Sequence, residues 1–131
     1  VVVVGDGVSA ADAVLHCIER GRRVLHVMRK NEQELRRFAS ALQSRFSPSL
    51  YPEYVNVFQL MQGRAKHSLY ERSVDSRVEA ISGGEVRVRG RKTVTQEPFS
   101  LLAVCIGQRS TSAGLLPPGT TFGRDYRSEV R

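Results

Sequence analysis

The sequence predicts an α/β fold in which helices flank a parallel sheet, and three observations lead to it. Val1 to Val4 is a run of β-branched residues, as in a parallel strand that is buried on both faces. Apolar residues at helical spacing follow this run. A second apolar strand, Val24 to Met28, begins at the distance that a right-handed parallel β-α-β crossover requires.

Composition agrees with one globular domain. The chain has 131 residues, of which 40% are hydrophobic and 25% charged, so it has enough apolar material for a core and is too apolar to be disordered. No apolar run is long enough for a transmembrane segment. Two cysteines, Cys17 and Cys105, cannot form a disulfide framework, which favours a reducing intracellular setting such as the cytoplasm.

Three helices are expected. Residues 11–20 form the first, and Gly21 ends it at the C′ position. Residues 32–45 form a charged second helix with a single apolar stripe. The third begins near Leu50, has Pro52 in its first turn and runs to about Gly63.

The rest of the domain is predicted to be mostly strand. Short strands are expected at residues 76–81, 85–88 and 93–95. A hairpin turn at Gly83-Gly84 makes them a small antiparallel β excursion. Leu101 to Ile106 is all apolar and predicts another buried parallel strand. We therefore expect residues 1–117 to form the domain and residues 118–131 to be a loose polar tail.

The loop after the first strand carries the chemistry. Gly5-x-Gly7-x-x-Ala10 stands between a strand and a helix, as the dinucleotide-binding fingerprint of Rossmann-like domains does. Gly5 permits the tight turn, Gly7 lets the backbone approach a pyrophosphate, and Ala10 lets the helix pack on the strands. The first helical turn, with Val8 and Ser9, offers its N–H groups to the phosphates. A turn of this shape that has lost its ligand is the alternative.

The end of the second strand indicates which dinucleotide is bound. NAD sites carry an acidic residue there for the ribose 2′-hydroxyl, but this chain has Met28-Arg29-Lys30 and no acid before Glu32. Arg29 can pair bidentately with a 2′-phosphate, and Lys30 adds a point charge. NADP(H) is therefore favoured over NAD(H) as the cofactor, and an ordinary exposed strand end is the alternative. Asp6, between the glycines, receives no role.

The net charge of +7 is concentrated in two basic clusters. They consist of Arg20, Arg22, Arg23, Arg29 and Lys30, and of Arg87, Arg89, Arg91 and Lys92. A solvated surface, a site for an anionic small molecule and nucleic-acid binding are the three interpretations. No aromatic residue is interleaved with either cluster, so nucleic acid is not expected as a partner.

The sequence suggests neither a catalytic residue nor a metal site. His16, His26 and His67 lack metal-ligand spacing, and His26 is expected to be a packed strand residue. Both cysteines fit an inert core. No acid–base pair stands out, which agrees with hydride transfer, where the cofactors carry the chemistry and the protein positions them.

Parts of the chain resemble known enzymes. Val1 to Ala13 is similar to the second nucleotide-binding motif of flavin-containing monooxygenase-like enzymes, in which an NADPH domain is inserted into an FAD domain. Leu102 to Gln108 resembles the strand and glycine at which the chain returns to that FAD domain. Leu50 to Met61 and Ser9 to Leu15 resemble the oxidative stress-induced growth inhibitor family.

The resemblance implies an NADP(H)-binding domain of an FAD-dependent monooxygenase, or of a relative that regulates growth and the response to oxidative stress. NADPH would reduce FAD, which then activates oxygen. By motif position the NADP(H) contacts are Gly5, Gly7, Ser9, Ala10 and Arg29. Tyr51 and Tyr54 are either a docking or substrate-side element or two aromatics packed at a helix start.

The chain opens inside a strand without an initiator methionine, so we expect a piece of a larger protein. The family's glycine motif for FAD is absent from it. FAD is therefore expected only in the full-length protein, whose missing FAD domain is the partner, and the piece alone should not turn over. A regulatory Rossmann scaffold without redox activity is the alternative. The small-molecule substrate does not follow from the sequence.

Overall fold

A computed structural model describes residues 1–106, apart from the side chains of residues 39, 42 and 43. Three helices are present: α1 (Val8–Glu19), α2 (Glu32–Arg45) and α3 (Pro52–Gln62). Four strands form a parallel sheet: β1 (Val2–Val4), β2 (Val24–Val27), β3 (Tyr70–Ser73) and β7 (Leu102–Val104). Three strands form an antiparallel sheet: β4 (Arg77–Ser82), β5 (Glu85–Arg89) and β6 (Val94–Pro98).

The α/β prediction is confirmed. The parallel sheet has the order β3-β2-β1-β7, so β1 lies inside the sheet between β2 and β7. Because all four strands are parallel, their carboxyl ends lie at one edge of the sheet. Ligands of open α/β sheets bind at this edge. The expected tail, residues 118–131, and the expected return through Gly107 and Gln108 lie outside the described residues.

Each face of the parallel sheet has its own apolar core. Val3 points to the helices and packs in a cluster with Ala10, Val14 and Phe58. Val2 and Val4 point to the other face, where they pack against the antiparallel sheet through Val78, Val86 and Val88. The predicted burial of the first strand on both faces is therefore confirmed, because every residue of β1 is buried.

The turn signals that the sequence offered are present. Gly21 and Gly63 follow α1 and α3 with φ values of +72° and +77°, the left-handed conformation that ends helices. Gly83 and Gly84 have φ values of +58° and +77°, which fits the tight hairpin between β4 and β5. Pro52 opens α3 as expected.

Three strands differ from the prediction. The strand predicted at residues 93–95 is β6, which runs from Val94 to Pro98. Nothing in the sequence pattern indicated β3, a polar four-residue edge strand that pairs parallel with β2. Leu102 to Val104 forms a parallel strand, but it is half-buried rather than buried. The reason is its position, since β7 pairs with β1 alone and ends the sheet within residues 1–106. In that same part of the chain, no helix combines the length and apolar character needed to cross a membrane.

Candidate functional site

The glycine loop lies between β1 and α1 at the carboxyl edge of the parallel sheet. Gly5 has a φ of +132°, and a Cβ on it would overlap the backbone carbonyl oxygen of Cys105. Only glycine accepts both this conformation and this close approach. The Gly5 amide donates a hydrogen bond to the Val27 carbonyl at 3.0 Å. Gly5 is therefore required by the protein's own packing.

Gly7 has the opposite environment. It is the N-cap of α1, and a Cβ built on it meets no protein atom within 4 Å. Nothing in the surrounding protein explains the glycine, while the open space in front of it is where a phosphate would need close access to the backbone. A Cβ at this position would reach into that open space, so the glycine keeps the backbone accessible.

The N-terminus of α1 is open to an anion. No side chain caps it and its first turn holds no acidic residue, so the N–H groups of Val8, Ser9 and Ala10 lack a helical carbonyl partner. Ser9 is exposed, Val8 is half-buried and Ala10 is buried against the core. The helix dipole adds a partial positive charge at this end, which favours phosphate.

His26 holds the glycine loop from below. Its Nε2 lies 2.6 Å from the Gly5 carbonyl oxygen, and its Nδ1 lies 2.8 Å from the Tyr70 hydroxyl. Burial lowers the pKa of His26 to about 4, so the ring is neutral. Nε2 then donates to Gly5, and Nδ1 accepts from Tyr70. His26 is thus the packed strand residue that the sequence predicted, with a loop contact that the sequence did not reveal.

Asp6 and Lys30 form an ion pair. The Lys30 ammonium lies 2.9 Å from the Asp6 carboxylate and 4.5 Å from the centre of the Phe38 ring. The pair joins the glycine loop to the segment after β2. The ion pair gives Asp6 a structural role that the sequence did not indicate. It also means that a carboxylate of the protein itself already balances the positive charge of Lys30.

Arg29 is exposed and lines a cleft of about 290 Å³ between the two sheets. Three other arginines, Arg77, Arg89 and Arg91, line the same cleft. Arg89 pairs with Glu79, and Arg91 pairs with Asp75 at 3.2 Å. The structure thus brings Arg29 together with members of the second basic cluster. Arg77, which belongs to neither sequence cluster, was missed because only the fold places it beside Arg29.

A larger cleft of about 680 Å³ adjoins the first. Both are lined by Asp75, Ser76, Gly90 and Arg91. Asn31, at the N-terminus of α2, also lines the larger one. The larger cleft lies at the carboxyl ends of β2 and β3. In Rossmann-like folds the adenosine half of a dinucleotide binds at this place.

The two basic clusters do not form one surface. Arg20, Arg22 and Arg23 line a separate cleft with Val1 and Ser100. This cleft lies at the amino edge of the sheet, because Val1 precedes β1 and Arg23 precedes β2. Only the Arg29 end of the first cluster contributes to the candidate site.

Tyr51 and Tyr54 pack in an aromatic group with Phe46 and Phe58. The Tyr54 hydroxyl donates a hydrogen bond to Asp12 at 2.7 Å. This bond raises the pKa of Tyr54 to about 12 and ties α3 to α1. The geometry supports the packed-aromatic interpretation of this segment.

Known structures share the fold. A TM-score of 0.58 relates the chain to bacillithiol disulfide reductase from Staphylococcus aureus, with 19% identity over 85% of this chain and 30% of that one. A TM-score of 0.59 relates it to p-nitrophenol 4-monooxygenase from Pseudomonas putida, with 16% identity over 93% of this chain and 44% of that one. No protein-family model matches. The chain therefore shares its α/β fold with parts of a disulfide reductase and a monooxygenase.

Sequence similarity to one relative indicates a particular family, which the shared fold alone does not. The chain is 39% identical over 131 residues to the oxidative stress induced growth inhibitor homolog of Caenorhabditis elegans. The match covers 98% of this chain and 28% of the relative, so the chain spans less than a third of that protein. The expected resemblance to the oxidative stress-induced growth inhibitor family is confirmed.

Proposed function

We propose that this chain is the NADP(H)-binding domain of an FAD-dependent, monooxygenase-like oxidoreductase. The observation that carries the proposal is the space in front of Gly7, at an uncapped helix N-terminus on the carboxyl edge of a parallel sheet. A pyrophosphate fits that combination of open space, free N–H groups and helix dipole.

The chain's own residues bind and orient the nucleotide. Gly5 sets the turn, Gly7 admits the pyrophosphate, and the N–H groups of Val8, Ser9 and Ala10 bind it. Arg29 pairs with the 2′-phosphate. Lys30, whose charge is balanced by Asp6, steadies the loop through that ion pair. The absence of an acid at the end of β2 disfavours the 2′-hydroxyl of NAD(H).

FAD is assigned to the rest of the full-length protein. Within residues 1–106 the structure has a single glycine-rich strand-to-helix loop, which the proposal assigns to NADP(H). Bound NADPH supplies the hydride that reduces a flavin. This chain's part would be to hold the nucleotide at the sheet edge through the Gly5–Ala10 loop and Arg29.

A regulatory scaffold without redox activity is the second candidate. One observation favours it: the relative is named for growth inhibition rather than for a reaction. In that case the protein would act in growth and oxidative-stress regulation through nucleotide binding, or through the fold alone.

The full-length protein distinguishes the two candidates. It is purified, its visible spectrum is recorded with and without added FAD, and NADPH absorbance is followed over time. We expect a flavin spectrum and NADPH consumption in the wild type, and in Gly7→Ala an unchanged flavin spectrum with NADPH consumption lost or reduced. A colourless protein that binds no added FAD and leaves NADPH intact would instead establish the scaffold.

A further inference from the structure

Two arginines in the smaller cleft, Arg29 and Arg77, form no salt bridge with a described residue, although Glu79 lies near enough to Arg77 for a longer-range attraction. Arg89 and Arg91 are held by Glu79 and Asp75. Among residues 1–106, no carboxylate lies within ion-pair distance of Arg29 or Arg77. Their side chains are exposed and line the same cleft. Two unpaired guanidinium groups at one cleft are a site for a dianion.

Backbone hydrogen bonds hold the two arginines in register. The Met28 amide donates to the Ser73 carbonyl, and the Ser76 amide donates to the Met28 carbonyl, both at 2.9 Å. The Asp75 amide donates to the Lys30 carbonyl at 2.9 Å. These bonds lie on both sides of Arg29 and end one residue before Arg77, so the positions of the two residues are fixed relative to each other.

The turn that carries Arg77 is unusual. Asp75 has a φ of +49°, the only positive value at a non-glycine residue among those described. Its carboxylate pairs with Arg91, on the far side of the cleft. Ser76 is buried, and its hydroxyl bonds to the Val74 carbonyl. A strained turn held by this many contacts is typical of a functional position.

We propose that Arg77 is the second 2′-phosphate ligand, so that selectivity for NADP(H) is set jointly by the parallel sheet and the antiparallel excursion. The inference rests on the proposed function and deepens it. A phosphate monoester carries nearly two negative charges near neutral pH, which matches two unpaired arginines. Lys30, whose charge is held by Asp6, is a positioning residue for the loop rather than the second phosphate ligand.

Nucleotide binding to the full-length protein tests this inference. Dissociation constants for NADPH and NADH are measured for the wild type, Arg77→Gln and Arg87→Gln. Arg87 is the matched control, because it lies on β5, is exposed and does not line the cleft. We expect Arg77→Gln to weaken NADPH binding by about tenfold or more and to leave NADH binding unchanged. Arg87→Gln should change neither.

A second variant, Arg77→Lys, keeps the charge but loses the planar fork, and should weaken NADPH binding less than Arg77→Gln. If the wild type prefers NADPH and Arg77→Gln keeps that preference, the inference is wrong and the proposed function stands. An equal loss of NADPH and NADH binding in Arg77→Gln would also overturn it. A wild-type protein without preference for NADPH would overturn both.

Discussion

His26 Nε2 lies 2.6 Å from the carbonyl oxygen of Gly5. The same ring accepts a hydrogen bond from Tyr70, so a continuous chain of contacts runs from β3 through β2 to the glycine loop. The shape of the loop therefore depends on two neighbouring strands as well as on its own glycines. Tyr70 is itself largely buried, which raises the pKa of its hydroxyl and keeps it a donor.

Replacing His26 should destabilise the fold. His26→Leu leaves the Gly5 carbonyl and the Tyr70 hydroxyl without partners in buried surroundings, which should lower the free energy of unfolding by about 2 to 4 kcal/mol. Tyr70→Phe removes only the outer bond and should lower it by about 1 kcal/mol. Urea denaturation measures both changes. A larger loss in Tyr70→Phe than in His26→Leu would contradict this account of the loop.

Stability should fall in mild acid because of His26. Burial lowers the pKa of His26 from its ordinary value of 6.5 to about 4 in the folded protein, so the unfolded chain binds more protons between these pH values. The free energy of unfolding therefore decreases as the pH falls from 6.5 towards 4, by about 3 kcal/mol for this group. Denaturation at several pH values should show that slope, and His26→Gln should flatten it. An equally steep slope in His26→Gln would assign it to other groups.

The two glycines of the loop should respond differently to alanine. Gly5→Ala places a Cβ on the Cys105 carbonyl oxygen at an unfavourable φ, and should lower the free energy of unfolding by roughly 2 kcal/mol or more. Gly7→Ala meets no protein atom, so it should change stability by at most about 1 kcal/mol while weakening nucleotide binding. Thermal unfolding and NADPH titration separate the effects. If Gly7→Ala binds NADPH with unchanged affinity, the pyrophosphate does not bind at this loop.

Charge reversal at Arg29 should remove the preference for NADPH. Arg29→Glu places an acid where NAD sites carry one, so NADPH affinity should fall by about tenfold or more while NADH affinity is kept. Arg22→Glu is the control, since Arg22 is exposed and lines the cleft at the opposite edge of the sheet. Fluorescence titration with both nucleotides measures the effect. The same loss in both variants would indicate a general effect of net charge.

The first β-α-β unit could be predicted from the sequence because its signals are local. The valine run, the helical spacing and Gly21 lie within one stretch of chain, and each element agrees with its neighbour. The hairpin at Gly83-Gly84 was equally clear, since two adjacent glycines favour a single type of turn.

The rest depends on contacts between distant parts of the chain. Strand β3 is short and polar, so neither periodicity nor propensity marks it. Arg77 follows Arg29 by 48 residues in the sequence. The two line one cleft only because hydrogen bonds join the β3–β4 turn to the segment after β2. Likewise, the position of Lys30 after the second strand predicted a phosphate ligand, but in the fold Lys30 forms an ion pair with Asp6.

In the proposed site the Gly5–Ala10 loop and Arg29 bind NADP(H). Calorimetric titration of the full-length protein with NADPH and then with NADH tests this binding. We expect saturable binding of both and a preference for NADPH of about tenfold or more, with NADPH binding weakened in Gly7→Ala. Failure to bind either nucleotide, or equal affinity for the two, would contradict it.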